Sequence, residues 1–175
     1  YRYVGGDVTE DDRYLIISGG ISTSGNRLFL KDLTKPNNKI ITIDDNIETD
    51  TYVADNKGSK LYIVTNFNAP NQRMVTTDAS KPTSDNWTDI IPETENVLSI
   101  STGSDYIFAT YIVDAVSKVL QYDYNGTLVR EIELPGVGSA DGFGGKNDDK
   151  ELYFSFTNYS TPGTIYKFNP KAGNY

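Results

Sequence analysis

The 175-residue sequence contains no histidine and no cysteine, and only one tryptophan and one methionine. Without histidine there is no Ser-His-Asp triad, no imidazole general base and no His-ligated metal. Without cysteine there is no thiolate nucleophile, no disulfide and no zinc ribbon. The same lack leaves the compartment open, because a cysteine-free chain suits the cytoplasm or a bacterial periplasm alike. Basic residues are also short: 16 stand against 24 acidic ones, for a formal net charge of −8. A phosphate backbone demands a net basic face, so no nucleic-acid partner is expected. No apolar run approaches the ~20 residues of a membrane span, so no membrane partner is expected either. An initiator Met and a signal-like start are missing too. The chain opens on Tyr1-Arg2-Tyr3, text that reads as the inside of a strand, and the expectation is a segment cut from a longer protein.

What is abundant is strand and turn chemistry. Aromatics make up 12% of the residues, with 13 tyrosines, and Gly contributes 15. Tyr, Thr, Ile and Val favour strands, while Gly, Asn and Asp supply turns. The composition is that of an all-β protein.

A repeat organises these residues. Arg13–Ser18, Lys60–Thr65, Asp105–Thr110 and Glu151–Phe156 each follow a polar turn with an alternating apolar strand. Taking Tyr14, Leu61, Tyr106 and Leu152 as equivalent, the steps are 47, 45 and 46 residues. A second series, Arg27–Asp32, Arg73–Asp78, Lys118–Asp123 and Thr164–Asn169, keeps the same period. A third series spans Lys39–Ile43, Trp87–Ile91 and Leu128–Leu134. A shorter one precedes the first, at Tyr3–Val8, Thr51–Ala54, Val97–Ser101 and Val137–Gly144. Four short antiparallel strands in about 46 residues is the text of a β-propeller blade. The spacing predicts a partial propeller of about four blades, at 1–46, 47–92, 93–135 and 136–175. The last blade lacks its outermost strand. Open terminal blade faces raise the expectation of self-association. No extended 3.6-residue periodicity occurs, so almost no helix is predicted.

Candidate chemistry is sparse. Gly20-Ile21-Ser22-Thr23-Ser24-Gly25 is one residue too long for a nucleophile elbow and leads into a strand. Gly136-Val137-Gly138-Ser139-Ala140-Asp141-Gly142 misses the dinucleotide fingerprint by one position and lacks a following helix. Its glycines read instead as a tightly packed inner strand. Asp141, Asp148 and Asp149 fail the fixed spacing of a calcium loop. No catalytic residue, metal or cofactor is expected. Strand tyrosines (Tyr3, Tyr52, Tyr106, Tyr111, Tyr153 and Tyr159) read as packing between blades with the hydroxyl at the rim. Trp87 reads as cover for a blade edge.

The ordered strand texts resemble a known family. Gly5-Gly6-Asp7-Val8-Thr9-Glu10-Asp11-Asp12-Arg13-Tyr14-Leu15, Asn26–Leu33, Val137–Gly145 with Glu151–Phe154, and Thr161–Tyr166 are similar to the later blades of the propeller of prolyl oligopeptidases, serine peptidases that cut after proline. The resemblance implies a seven-bladed ring over an α/β-hydrolase domain. The ring admits oligopeptides and excludes folded proteins. The catalytic groups lie in the hydrolase domain, so none is carried over to this chain. The partners implied are that hydrolase domain of the parent chain and, through it, oligopeptide substrates. The alternative is a free-standing ligand- or protein-binding propeller. In the family the loop matching Gly19–Asn26 faces the active site, in some members with an Arg and a Cys. Aligned on Asn26-Arg27-Leu28, those positions are Gly19 and Ser22, so a charged or thiol contact is lost here.

Overall fold

The computed structural model describes residues 2–175, so Tyr1, the first residue of the opening strand text, lies outside the described residues. Among the described residues fifteen strands form four small antiparallel sheets, each a meander in chain order. The first holds β1 (Tyr3–Val8), β2 (Tyr14–Gly20), β3 (Arg27–Asp32) and β4 (Ile41–Asp44). The second holds β5 (Thr51–Lys57), β6 (Lys60–Thr65), β7 (Arg73–Asp78) and β8 (Thr88–Ile91). The third holds β9 (Ser99–Gly103), β10 (Tyr106–Val113), β11 (Val116–Tyr122) and β12 (Leu128–Glu131). The last has three strands, β13 (Ser139–Gly142), β14 (Leu152–Thr157) and β15 (Thr164–Phe168). This is the all-β, blade-like architecture that the repeat predicts. Among the described residues the helical content is one 3-10 turn, Ser84–Asn86.

Several strand limits differ from the sequence reading, each for a local reason. Thr51–Ala54 extends to Lys57 because a bulge skips Ala54, pairing Val53 with Ile63 but Asp55 with Tyr62. The bulge reverses the alternation that marks a strand in sequence. Asp105 belongs to the turn, not to the strand after it: Ser104 and Asp105 both take positive φ, 52° and 64°. That is the twist a two-residue hairpin requires. The third series shortens at Leu128–Glu131, and the inner strands start two residues late, at Ser99 and Ser139.

The described residues form two compact units, one ending at Glu93 and the other Thr94–Tyr175. In the first unit the two sheets share one apolar core. Tyr14, Leu28, Leu30 and Ile43 come from the first sheet, and Leu61, Ile63, Val75 and Ala79 come from the second sheet and its following turn. The i, i+2 spacing along β3 follows from the pleat, which sends alternate side chains to one face. Trp87, just before β8, joins this cluster. Its Nε1 donates to the Pro82 carbonyl at 2.8 Å, and its ring meets Phe67 edge-on at 6.1 Å.

The second unit has an aromatic core. Phe108 and Val119 face Phe143, Leu152, Phe154, Phe156 and Phe168. Phe143 stacks on Phe154 at 4.6 Å and 8°, and Phe108 stacks on Phe143 at 5.4 Å. The last residues fold back beside this core instead of adding a strand. Asn169 pairs with Asn174, Tyr175 meets Phe154 edge-on at 5.7 Å, and buried Gln121 donates its Nε2 to the Pro170 carbonyl at 2.8 Å.

The tyrosines divide differently from the sequence reading. Tyr111 is buried, but Tyr3, Tyr52, Tyr153 and Tyr159 are exposed. Tyr153 lies between Leu152 and Phe154, both buried, so the pleat turns it outward. Burial, and then the neighbouring Tyr122, pushes the Tyr111 phenol up to about 12. Between the unfolded pKa near 10 and that folded value the unfolded chain holds fewer protons, so stability falls as pH rises through this window. Tyr111→Phe is expected to flatten that alkaline limb and leave neutral-pH stability little changed. Urea midpoints across the window check this.

Candidate functional site

Successive strands alternate in direction, so each sheet has two ends with different loops. In the first unit the 21–26 loop (β2 to β3), the 66–72 loop (β6 to β7) and the 45–50 crossover (β4 to β5) share one end. Gly19 and Ser22 lie here. Gly19 is buried in β2, opposite Val4 on one side and Arg27 on the other. Ser22 is exposed at the loop tip. Its Oγ donates to the Ser24 carbonyl at 3.1 Å and accepts from the Ser24 amide at 3.3 Å. The hydroxyl therefore serves the loop's own turn.

Contacts that the sequence reading missed fix this loop to the crossover beside it. Gly25 donates its amide to Asp50 Oδ1 at 2.7 Å. The Asn26 amide donates to the Thr49 carbonyl at 2.8 Å. Asn26 Nδ2 donates to the Thr51 carbonyl at 2.9 Å, and Asn26 Oδ1 accepts from the Thr51 amide at 3.2 Å. Asp50 is held in turn by Asn66, whose Oδ1 accepts the Asp50 amide at 2.8 Å. Gly25 sits at φ 75°, and a Cβ there would meet the Ile47 carbonyl and lie 3.2 Å from Glu48 Cα. Only glycine lets the backbones come this close. The partners are about 25 residues apart, so no local pattern in the sequence links them.

Below the loop end lies a buried polar chain. Asp44 Oδ2 accepts from Thr49 Oγ1 at 2.7 Å and from Thr51 Oγ1 at 2.8 Å. Asp44 Oδ1 accepts from the Asn46 amide at 2.9 Å. Thr51 Oγ1 lies 2.7 Å from Thr65 Oγ1, which accepts from the Phe67 amide at 3.0 Å.

Other sequence candidates take structural places. Gly138 packs against the last sheet: a Cβ there would lie 2.8 Å from Phe156 Cζ and 2.9 Å from Asn158 Cβ. Of this segment only Ser139–Gly142 forms a strand, β13, and Gly138 makes its close approach in the bend before it. Asp149 Oδ2 caps its own turn through the Lys146 amide at 2.7 Å. Among the described residues no three His, Cys, Asp or Glu side chains come together as a metal site.

The prolyl oligopeptidase N-terminal β-propeller family model matches residues 1–175. The chain belongs to this family. It is 49% identical over 173 residues to a prolyl endopeptidase of Elizabethkingia meningoseptica, covering 99% of the chain and 24% of that protein. A prolyl endopeptidase of Elizabethkingia miricola is 48% identical, with 98% of this chain and 24% of that protein covered. Among solved structures, a prolyl endopeptidase studied for inter-domain dynamics superposes with a TM-score of 0.89 at 28% identity, over 98% of this chain and 25% of that one. Prolyl oligopeptidase B from Galerina marginata superposes with a TM-score of 0.84 at 26% identity, over 97% of this chain and 25% of that one. The chain thus spans about a quarter of the length of its matched relatives. The four sheets are part of the family's β-propeller domain.

Proposed function

We propose that this chain is a non-catalytic wall of a prolyl-oligopeptidase-like serine peptidase, acting as a size-excluding gate for oligopeptides. The family match along the whole chain, over four sheets in meander order, carries the reading. The parent's α/β-hydrolase domain would break the bond after proline, and this segment would decide what reaches it. Exclusion works by geometry: a folded domain is about 25 Å or more across, twice the gyration radius of a ~100-residue domain. The loop end bearing Gly19 and Ser22 would face the substrate. With no cationic or thiol side chain at these two positions, the loop would act there through shape and backbone.

The test uses the full-length protein that carries this chain. A short proline-containing peptide should be cleaved, while the same sequence inside a folded domain should resist. Equal kcat/KM for the two would overturn the gating role. The 175-residue chain alone should leave a proline-containing fluorogenic peptide intact, and turnover that survives repurification would count against a non-catalytic wall.

A further inference from the structure

At the opposite end of the same strands, the first two sheets part around a cavity of about 270 Å³. Tyr14, Leu30, Ile41 and Ala79 provide apolar lining. Arg13, Asp32, Lys35 and Asp78 bring charge, balanced at two cations and two carboxylates. The carboxylates are committed. Asp78 Oδ1 accepts from the Ser80 amide at 2.9 Å, and its Oδ2 accepts from Ser59 Oγ at 2.7 Å. Those hydrogen bonds from Ser80 and Ser59 hold the carboxyl at about 2, so it is ionised at neutral pH. Asp32 Oδ1 accepts from the Thr34 amide and hydroxyl at 3.0 and 2.5 Å, and its Oδ2 lies 3.8 Å from Lys35 Nζ.

Arg13 differs. Its guanidinium lies over the Tyr14 ring at 5.0 Å, and its Nε is buried without a hydrogen-bond partner. A buried donor left unmatched is costly, and a guanidinium fork suits a carboxylate. Arg13 lines the cavity with its charge already felt by Asp32 and Asp78, so an occupant must offer an acceptor to the guanidinium and must not be only negative. A monocarboxylate that carries its own ammonium meets both conditions. The volume is just under the ~300–1,000 Å³ of drug-sized pockets, which limits the occupant to something smaller.

We propose that this cavity is a binding site for a small zwitterion, an amino acid or dipeptide, with its carboxylate on Arg13 and its ammonium toward Asp78. This goes beyond the gating role: it lies at the other end of the strands and breaks no bond.

Glycyl-leucine titrated into the protein and followed by amide shifts of Ala79 and Ser80 tests it. Saturable binding with a Kd of about 1 mM is expected. N-acetyl-glycyl-leucine and glycyl-leucinamide, which lack the ammonium and the carboxylate respectively, should each bind roughly tenfold more weakly, the loss of one charge-assisted contact. Arg13→Gln should abolish the response. Arg13→Lys, which keeps the charge and loses the fork, serves if near-UV circular dichroism shows that Arg13→Gln disturbs the fold. Asp78→Asn should weaken the free dipeptide and leave the N-acetyl form unchanged. No shift at about 10 mM dipeptide, ten times the expected Kd, would overturn the proposal. So would capped forms that bind equally well, or inorganic phosphate that binds more tightly than the dipeptide. In each of those cases Arg13 serves only charge balance or a simple anion.

Discussion

Phe154→Ala is expected to cost about 3–5 kcal/mol, the range for emptying a buried aromatic site. Phe154 is 1% exposed and lies at the centre of the aromatic core. Phe143 stacks on it at 4.6 Å, Tyr166 stacks on it at 5.3 Å, and Tyr175 closes it edge-on at 5.7 Å. Each such pair adds about 0.5–1.5 kcal/mol beyond area burial, so truncation loses ring contacts as well as volume. A flat stack closes poorly around a void, since rigid rings cannot turn to fill it. Domain stabilities run at about 5–15 kcal/mol, so the loss is a large fraction of the total. Phe154→Leu keeps most of the volume and should cost clearly less. Urea unfolding measures both. Hydrogen exchange should show β13–β15 opening well before β2 and β3. An alanine variant within about 1 kcal/mol of the parent, the typical cost of an ordinary substitution, would mean that this stack does not hold the last blade.

Much of that core was legible in the sequence. Leu152, Phe154 and Phe156 alternate with polar residues, so the period of two assigned both the strand and its inward face. The 46-residue repeat then placed each strand in its blade. Turn chemistry helped where Gly126, at φ 82°, closes the β11–β12 hairpin. Legibility failed where one extra residue changed the register, as at Ala54. It also failed at Tyr153, read as packed between blades, which the pleat turns outward between buried Leu152 and Phe154. Contacts between blades were the least visible. Asn26 with Thr51, and Arg13 with the cavity beside Asp78, join residues from separate repeats through side chains that look like ordinary turn chemistry. A strand pattern reports which face is buried, and the partner on the facing sheet leaves no mark on it. That is why the loop between β2 and β3 could be read as a loop while its fastening, and the cavity at the other end, could not be read.

The second large effect is expected at Asp44, where hydrogen-bond direction can be deduced. A carboxylate offers acceptors only, so the Thr51 hydroxyl donates to Asp44 Oδ2, while the one Thr49 hydroxyl hydrogen is shared between Asp44 Oδ2 and the Asn46 carbonyl at 2.8 Å. Thr51 has one hydroxyl hydrogen, and it is now committed. At the 2.7 Å contact between Thr51 and Thr65, Thr65 is therefore the donor. The Phe67 amide feeds Thr65 Oγ1 in turn at 3.0 Å. A directed chain runs from Phe67 through Thr65 and Thr51 to Asp44, joining β6, β5 and β4 across two blades. Thr65 is fully buried and Thr51 nearly so, so water offers little compensation for a break. Asp44→Ala removes the acceptor of the Thr51 hydroxyl and of the Asn46 amide, while the Thr49 hydroxyl keeps the Asn46 carbonyl. With hydrogen bonds to charged groups worth about 1.5–3 kcal/mol each, and partial relaxation, the expected cost is about 3 kcal/mol. Asp44→Asn keeps the shape but can place a donor where Thr51 already donates, which forces the Thr51–Thr65 bond to reverse. Its cost should be intermediate. The decisive measurement is a double-mutant cycle between Asp44→Ala and Thr65→Val, two residues joined only through Thr51. Linked bonds should give a coupling of at least about 0.5 kcal/mol, above the usual error of additivity. Strict additivity would show that the two bonds act separately, and that the blades are joined here by packing alone.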